Sequence, residues 1–421
     1  MLMSVKFFKQ LAIAAALMIG WGLLAAQAED WPRWRGPRGD GSWQAPELPK
    51  RWPETGLQQV WKQPIGGGYG GISVVGDRLY VMDRPTEPEQ VERVLCLNCT
   101  TGEKMWEHIY AADYGKLEYG NGPRATPTVF ENRVYTFGTL GHTHCFDADD
   151  GTVIWSHDFL GNDDATVPEW GLSGSPVIWK NLVIVHPGAN GGCYVALDRK
   201  TGAEVWRSSD DPAGYGTPIL ISHNGNQQLV CWSPRHILGL KPADGTIQWS
   251  IPYEVEHNVS IATPIFRDGI VFVTGYWHGA KAIELGDKPD QAKLLWEENR
   301  HLRGLMCQPL YRDGYLYSLD KNRGLVCFQF RDCEKMWTDD KHRMTPRGRN
   351  PQANLVWLGD TNRVIILNAE GDLILARLTP EGYDEQSRTN IIDRTWAHPA
   401  FAGQHVYVRN DNEILCVRLT D

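Results

Sequence analysis

The sequence lacks the motifs that mark several large enzyme classes. It contains no H-E-x-x-H zinc motif, no G-x-S-x-G nucleophile motif and no phosphate-binding P-loop. None of its nine cysteines are adjacent, and Cys96-x-x-Cys99 has no second C-x-x-C that would complete a four-ligand zinc site. These absences argue against the common zinc-protease, serine-hydrolase and nucleotide-hydrolase patterns, and they favour an incidental origin for the C-x-x-C pair.

The sequence also lacks a surplus of positive charge. It has 42 Lys and Arg against 51 Asp and Glu, which gives a formal net charge of −9. An acidic protein has no general electrostatic attraction to nucleic acid or to anionic lipid. We therefore expect neither as a partner.

Beyond the N-terminus, no apolar run is long enough to span a bilayer. Met1–Ala28 is typical of a signal peptide, because Lys6 and Lys9 precede the apolar run Leu11–Ala26 and Ala26-Gln27-Ala28 forms a cleavage signal. A membrane anchor is the alternative, and the absence of a cysteine after the run disfavours a lipid anchor. Cleavage would remove two lysines and change the net charge from −9 to −11. We predict a periplasmic or secreted protein with a signal peptide (1–28), an N-terminal extension (29–56) and one large domain (57–421).

Tryptophan recurs along the chain at intervals of 41 to 51 residues. In five copies a small residue lies ten positions before the tryptophan, with a turn between them. Such a period indicates a repeat architecture, and the short β-type runs within each repeat indicate four-stranded propeller blades. We expect each ring to pack between adjacent blades and to bury on the order of 150–250 Å². The expected docking tryptophans are Trp61, Trp106, Trp155, Trp206, Trp249, Trp296 and Trp337.

The number of blades follows from their starts, where a small or polar residue usually precedes proline, as in Thr126-Pro127 and Ser175-Pro176. These starts predict an all-β fold, an eight-bladed propeller of four-stranded antiparallel blades. Only three strands remain at the C-terminus, so we expect Gln58–Lys62 to supply the fourth, outer strand and close the ring. The outer strand of blade seven has no docking tryptophan. We predict Thr379–Ser387 as a polar loop and Asn390–Arg394 as the outer strand, which makes this blade the expected weak joint.

Several cysteines occupy the small-residue position of different repeats. Equivalent positions in a ring lie far apart, so these thiols are not expected to form disulfides with one another. We interpret them as small, buried, apolar side chains. They are Cys96, Cys145, Cys327 and Cys416.

Three motifs stand out in and before the repeats. The motif A-x-D-x-x-T-G-x-x-x-W runs from Ala196 to Trp206, W-P-x-W-R-G-P runs from Trp31 to Pro37, and G-P-R-A-T-P begins at Gly122. With these motifs the sequence resembles the bacterial PQQ-repeat β-propellers, which are related in fold to quinoprotein alcohol dehydrogenases and to the BamB-like scaffold of outer-membrane barrel assembly. For the dehydrogenases, the resemblance implies PQQ on the propeller axis, a calcium ion, an Asp base and a disulfide between adjacent cysteines. This sequence has no adjacent cysteines and no room for the large inserted loops of those enzymes.

In a propeller, the links that enter the inner strands surround one mouth of the central channel. Here these links combine aromatic rings with guanidinium groups, which could hold an anionic planar ligand or a peptide carboxylate. Alternatively, they pack against neighbouring loops and neutralise local acids. His142-x-His144 offers two imidazoles to a metal, although exposed polar residues at a hairpin end are the preferred interpretation. The predicted mouth residues are Tyr69, Arg124, Trp170, Tyr215, Asn258, Arg303, Arg349 and Trp396.

Two hypotheses for function follow. The first is an exported, noncatalytic scaffold that binds a protein partner or a small anionic ligand at the channel mouth, by analogy with the fold of the barrel-assembly scaffold. The second is an oxidoreductase that depends on PQQ and a divalent cation, which the scarcity of Asp and Glu among the mouth residues disfavours. We predict a monomer with no catalytic residue, no metal site and no cofactor, and we keep PQQ with calcium as the alternative.

Overall fold

The computed structural model describes residues 29–420, so the predicted signal peptide lies outside the described residues. Eight sheets surround a central channel; seven have four antiparallel strands, and one has a fifth strand that pairs in parallel. The predicted eight-bladed propeller is confirmed. In residues 29–420, none of the helices has the length and apolar character needed to cross a membrane.

Two strands precede the first blade in the sequence, β1 (Ser42–Trp43) and β2 (Gln59–Pro64). Within a blade, consecutive strands pair from the channel outward. Blade 1 consists of β3 (Ser73–Val75), β4 (Arg78–Asp83), β5 (Val91–Asn98) and β6 (Lys104–Ala111), and blade 2 of β7 (Thr128–Phe130), β8 (Arg133–Phe137), β9 (His142–Asp147) and β10 (Val153–Asp158). Blade 3 consists of β11 (Val177–Trp179), β12 (Leu182–Val185), β13 (Tyr194–Asp198) and β14 (Glu204–Ser208), and blade 4 of β15 (Ile219–His223), β16 (Asn226–Trp232), β17 (His236–Leu240) and β18 (Ile247–Pro252).

The second half of the ring repeats this arrangement. A short helix, α1 (Phe159–Asn162), follows blade 2, and a 3-10 turn (Glu256–Asn258) precedes blade 5. Blades 5 to 8 consist of β19 (Ile265–Arg267), β20 (Ile270–Gly275), β21 (Gly279–Leu285) and β22 (Ala292–Glu298); β23 (Leu310–Arg312), β24 (Tyr315–Asp320), β25 (Gly324–Gln329) and β26 (Lys335–Thr338); β27 (Ala353–Leu358), β28 (Arg363–Asn368), β29 (Asp372–Thr379) and β30 (Gly382–Asn390); and β31 (Ala400–Ala402), β32 (His405–Arg409) and β33 (Glu413–Arg418).

The N-terminus closes the ring as predicted. Strand β2 pairs antiparallel with β33 and becomes the outer strand of blade 8, with Trp61 opposite Cys416. This pairing removes the edge that β33 would otherwise expose.

The repeated tryptophans link each blade to the next. Six of the seven donate the indole N–H to a backbone carbonyl one blade further along, as Trp106 does to Ala148 at 3.1 Å. Gly151 has a φ of +75°, and a Cβ there would lie 2.6 Å from the Trp106 ring, so glycine is required for this approach. Trp249 differs, because its indole donates to the Gln228 side chain of its own blade at 2.8 Å.

The polar residues at the blade starts link the blades at the channel. The backbone N–H of Thr126 donates to Ser175 Oγ, and that of Ser175 donates to Thr217 Oγ1, both at 2.9 Å. The Thr263 N–H donates in the same way to Gln308 Oε1 at 2.8 Å. Each of these side chains is buried, so the bond satisfies a backbone donor that water does not reach. The small polar residue before proline therefore has a structural role.

Blade 7 departs from the prediction. Its outer strand is β30, so most of the predicted loop Thr379–Ser387 is strand and Asn390–Arg394 is not the outer strand. Several side chains of β30 are exposed, because it is an edge strand. That exposure explains its polar composition and why the sequence resembled a loop.

The N-terminal extension completes blade 7. Strand β1 pairs in parallel with β27 and makes this sheet five-stranded. Further along, Trp52 is only 5% exposed and lies in the apolar cluster that contains Leu375 and Leu415. Its indole N–H donates to the Leu373 carbonyl at 3.1 Å. A tryptophan from outside the repeats thus fills the joint that was expected to be weak.

All nine cysteines are unpaired, and eight of them are buried. This arrangement confirms the interpretation of the repeat cysteines as small core residues. Burial raises the pKa of the Cys96 thiol to about 12, which keeps it in the unreactive thiol form.

Candidate functional site

The links into the inner strands enclose a cavity of about 380 Å³ at one end of the channel, called here the mouth cavity. Asn258 and Arg303 do not line it, and the Arg303 side chain pairs with buried Asp320 at 3.1 Å. Ligand binding by the predicted set remains a prediction. Six of the eight predicted residues line the cavity: Tyr69, Arg124, Trp170, Tyr215, Arg349 and Trp396.

Aromatic rings form a nearly continuous wall around this cavity. The ring centroids of Tyr69 and Trp396 lie 5.8 Å apart, and those of Trp396 and Tyr119 lie 5.9 Å apart. Trp170 continues the wall, 6.4 Å from Tyr119 and 5.7 Å from Tyr215. Large, relatively rigid apolar surfaces of this kind are typical of ligand pockets.

Sequence reasoning missed several residues that line the cavity. They lie deeper in the long links or in turns between the second and third strands, away from the repeat position that guided the prediction. A search of these links for further aromatic and acidic residues would have found most of them. They are Glu118, Tyr119, Glu169, His257, Tyr276 and Trp277.

Arg124 stabilises the wall of the cavity and has little capacity left for a ligand. Its Nη1 donates to the Gly122 carbonyl at 2.5 Å, and its Nη2 donates to the Tyr119 carbonyl at 2.6 Å. Further bonds reach Thr139 and the Glu118 carbonyl. Burial lowers the pKa of this guanidinium. Because its terminal N–H groups are engaged by backbone and hydroxyl oxygens, Arg124 positions the link that carries Tyr119.

The W-P-x-W-R-G-P segment crosses the channel and forms the floor of the mouth cavity. The Trp34 indole N–H donates at 2.8 Å to Thr263 Oγ1, in the link that enters blade 5 on the far side of the propeller. The same side chain lines both the mouth cavity and a second cavity of about 670 Å³ below it. The segment therefore lies between the two cavities, and the mouth cavity has the form of a cup with this segment as its base.

Several blades anchor this floor. Trp31 exchanges two backbone hydrogen bonds with Val74 of blade 1, at 2.8 and 2.9 Å. Arg35 is 2% exposed and donates to the Pro309 carbonyl of blade 6 at 2.8 Å. Gly36 has a φ of +85°, and a Cβ there would lie 2.8 Å from the Trp31 ring. The tryptophan, arginine and glycine of the motif each meet a separate packing requirement.

His398 lines the floor of the mouth cavity and is almost fully buried. Its ring stacks on Trp31 and meets Trp34 edge-on at 5.1 Å. Burial lowers the pKa of this imidazole to about 4, so it is neutral at pH 7. The unfolded chain, with a histidine pKa of about 6.5, takes up the proton first as the pH falls.

We expect His398 to make stability depend on pH. The free energy of unfolding should fall between pH 6.5 and about 4, by on the order of 3 kcal/mol in total from this group. Urea denaturation at a series of pH values measures the slope, which should be smaller in His398→Gln. His278→Gln, at an exposed position, is the control and should keep the wild-type slope. Equal slopes in the wild type and His398→Gln would contradict the prediction.

His142 and His144 do not form the exposed pair that was preferred. His144 is 6% exposed, and its ring lies 4.7 Å from Tyr110 of the neighbouring blade. Both rings lie beside Tyr110, so the neighbouring blade covers the side of the strand that was expected to be exposed. Within residues 29–420, no group of three or more His, Cys, Asp or Glu side chains could hold a metal ion.

The sequence matches the PQQ_2 family, described as outer membrane protein assembly factor BamB, over residues 90–338 and 233–421. The chain belongs to this family. BamB from Kangiella koreensis is 30% identical over 191 residues, which cover 44% of this chain and 45% of that protein. Quinohemoprotein alcohol dehydrogenase ADH-IIG from Pseudomonas putida is 31% identical over 109 residues, which cover 25% and 15%. The chain thus spans less than half the length of these curated relatives.

Solved structures of both kinds share the fold at low sequence identity. BamB from Moraxella catarrhalis has a TM-score of 0.59 and 16% identity, over 86% of this chain and 99% of that chain. A europium-containing methanol dehydrogenase has a TM-score of 0.62 and 12% identity, over 84% of each chain. Because both kinds of protein share the propeller, the fold does not distinguish a scaffold from an oxidoreductase.

Proposed function

We propose that this protein is a noncatalytic scaffold that binds a partner or a small ligand in the mouth cavity. The observation that carries the proposal is the cup itself, with aromatic walls and a floor held by several blades. Preorganised aromatic pockets favour binding, because little side-chain freedom is lost when a ligand enters. The family description, outer membrane protein assembly factor, agrees with a scaffold role.

We also propose that the protein acts outside the cytoplasm, in the periplasm or as a secreted protein. The support is the signal-like N-terminus and the family description. Burial of eight of the nine cysteines is compatible with an oxidising compartment, because buried thiols react slowly.

The oxidoreductase alternative is less well supported by the residues of the cavity. Calcium takes six to eight oxygen ligands, but the carboxylates lining the cavity already have partners. Glu118 accepts a bond from the Trp170 indole at 3.2 Å, and Glu169 lies 3.1 Å from the His257 ring. Gln308 Oε1 accepts the Thr263 N–H. Because these oxygens are already engaged, and because residues 29–420 contain no group of three or more His, Cys, Asp or Glu side chains that could hold a metal ion, the cavity fits a calcium-held quinone poorly, and we propose no redox step.

The scaffold proposal predicts that partner capture depends on the aromatic wall. Tagged protein is incubated with periplasmic extract, and bound proteins are compared between the wild type and the Trp170→Ala/Trp396→Ala double variant. We expect at least tenfold less of a specific partner in the double variant. Trp179→Ala is the control, because Trp179 ends an inner strand at the opposite face of the ring.

Two results would contradict the proposal that the protein is a scaffold with its binding site in the mouth cavity. One is equal capture by the wild type and the double variant, which would place the binding surface elsewhere. The other is saturable PQQ binding with dye-linked alcohol oxidation after PQQ and calcium are added. That second result would favour the oxidoreductase.

A further inference from the structure

The charges inside the mouth cavity differ from those expected from the sequence. Three of the predicted mouth residues are arginines. Arg124 is engaged by carbonyl oxygens, and Arg303 pairs with Asp320 outside the cavity. Arg349 remains, exposed at the rim. Two carboxylates that were not predicted, Glu118 and Glu169, line the cavity. Arg124 and Arg349 are thus matched by two carboxylates, and the cavity is not the predominantly cationic one expected from the sequence.

These carboxylates lie on either side of one stretch of the aromatic wall. Glu118 accepts the Trp170 indole N–H at 3.2 Å. The His257 ring lies 6.1 Å from Trp170, and its Nδ1 lies 3.1 Å from Glu169. On its other side, the His257 ring lies 5.6 Å from Trp277. The Trp170 indole thus has one exposed carboxylate, Glu118, at its N–H edge and a second, Glu169, beyond the neighbouring His257 ring.

We propose that this part of the mouth cavity binds the cationic head of a small alkylammonium compound. The inference rests on the proposed function, because it takes the cup to be a binding site and names the chemical class of its occupant. The head group lies against Trp170 and its neighbouring rings, with Glu118 and Glu169 supplying opposite charge.

The physical basis is the quadrupole of the aromatic rings. Their faces are negative and attract cations, most strongly when the cation is desolvated, and aromatic cages are a common way to hold quaternary ammonium groups. A quaternary ammonium group has no N–H to satisfy, so it leaves few unpaired polar groups in an apolar cup. The same faces repel an anion. The cavity, about 380 Å³, has room for such a head group and a chain of several atoms.

The edge of the cavity also suits a ligand that carries a carboxylate in addition to the ammonium group. Arg349 is exposed at the edge of the cavity, and its carbonyl accepts a bond from Tyr276, which also lines the cup. A guanidinium at that point could receive a carboxylate carried by the ligand. A zwitterionic quaternary ammonium compound would therefore complement both signs of charge.

The first experiment is calorimetric titration of the full protein with choline. The neutral control is 3,3-dimethylbutan-1-ol, which has the same shape without the charge, and benzoate is the anionic control. We expect saturable choline binding, at least tenfold weaker binding of the alcohol, and no binding of benzoate. Equal binding of choline and the alcohol would overturn the proposal, as would binding of benzoate in preference to choline.

The second experiment removes the two charges and keeps the local hydrogen bonds. In the Glu118→Gln/Glu169→Gln variant, amide oxygens can still accept from Trp170 and His257. We expect choline binding to weaken at least tenfold. Glu256→Gln is the matched control, because Glu256 lies in the link that carries His257 and does not line the cavity. Unchanged binding in the double variant would overturn the proposal.

A third titration separates a small ligand from a protein side chain. N-acetyl-lysine methylamide presents a lysine ammonium, and we expect it to bind more weakly than choline. Tighter binding of the lysine derivative would overturn the small-molecule proposal in favour of a lysine of a protein partner. If choline fails while partner capture still depends on Trp170 and Trp396, the alkylammonium inference is wrong and the scaffold proposal stands.

Discussion

Replacement of Trp52 by alanine is expected to lower the free energy of unfolding by about 3–5 kcal/mol. Trp52 is 5% exposed and fills the joint between blades 7 and 8, where the repeat has no tryptophan. Truncation removes the ring from the apolar cluster and leaves a cavity. It also removes the donor to the Leu373 carbonyl. Truncation therefore combines the cost of a cavity with the loss of one hydrogen bond.

Urea denaturation, followed by tryptophan fluorescence and circular dichroism, measures this change. Trp179→Ala is the control, because that ring is partly exposed and donates to the exposed side chain of Gln227. We expect the control to lose less than about 1 kcal/mol. A Trp52→Ala loss as small as that of the control would mean that the N-terminal extension does not support the joint.

The repeats made most of the fold predictable. Tryptophan spacing and polar-proline starts gave eight blades, and the three C-terminal strands required Gln58–Lys62 to close the ring. These inferences succeeded because each blade obeys the same local rules. The prediction of a weak joint at blade 7 failed because Trp52, from a segment that belongs to no repeat, completes that joint. A periodic pattern carries no information about a tryptophan supplied from elsewhere in the chain.

The mouth was predictable only where it follows the repeat. Trp170 and Trp396 both lie in links that enter an inner strand, shortly before the blade starts Ser175 and His398, and both line the cavity. Glu118 and Glu169 were missed because the length and course of each link are set by contacts between blades. The sequence also did not predict that Trp34 forms the floor of the cavity. The sequence identifies the motif as distinctive but does not reveal that it crosses the channel.

The joint between blades 8 and 1 depends on a buried arginine. Arg409 is 0% exposed, and it donates to the carbonyls of Met82 and Gly66, both at 2.6 Å. A third acceptor is the Asn410 carbonyl. Burial lowers the pKa of this guanidinium to about 10, which leaves it charged at pH 7. The charged guanidinium donates to several backbone carbonyls and so links blade 8 to blade 1. No segment of the chain runs directly from β33 to β3.

Arg409→Met should therefore lower the free energy of unfolding by at least about 3 kcal/mol. Methionine fills much of the volume but leaves buried carbonyls without a donor, and a hydrogen bond to a charged group contributes about 1.5–3 kcal/mol. Arg418→Met, on the neighbouring strand, is the control, because Arg418 Nη2 meets only the exposed Gln404 side chain at 3.2 Å. Its loss should stay below about 1 kcal/mol. Hydrogen exchange adds a spatial test: in Arg409→Met, protection should fall first in β2, β3 and β33. A uniform fall across all eight blades, or no fall at all, would mean that the arginine does not hold this joint.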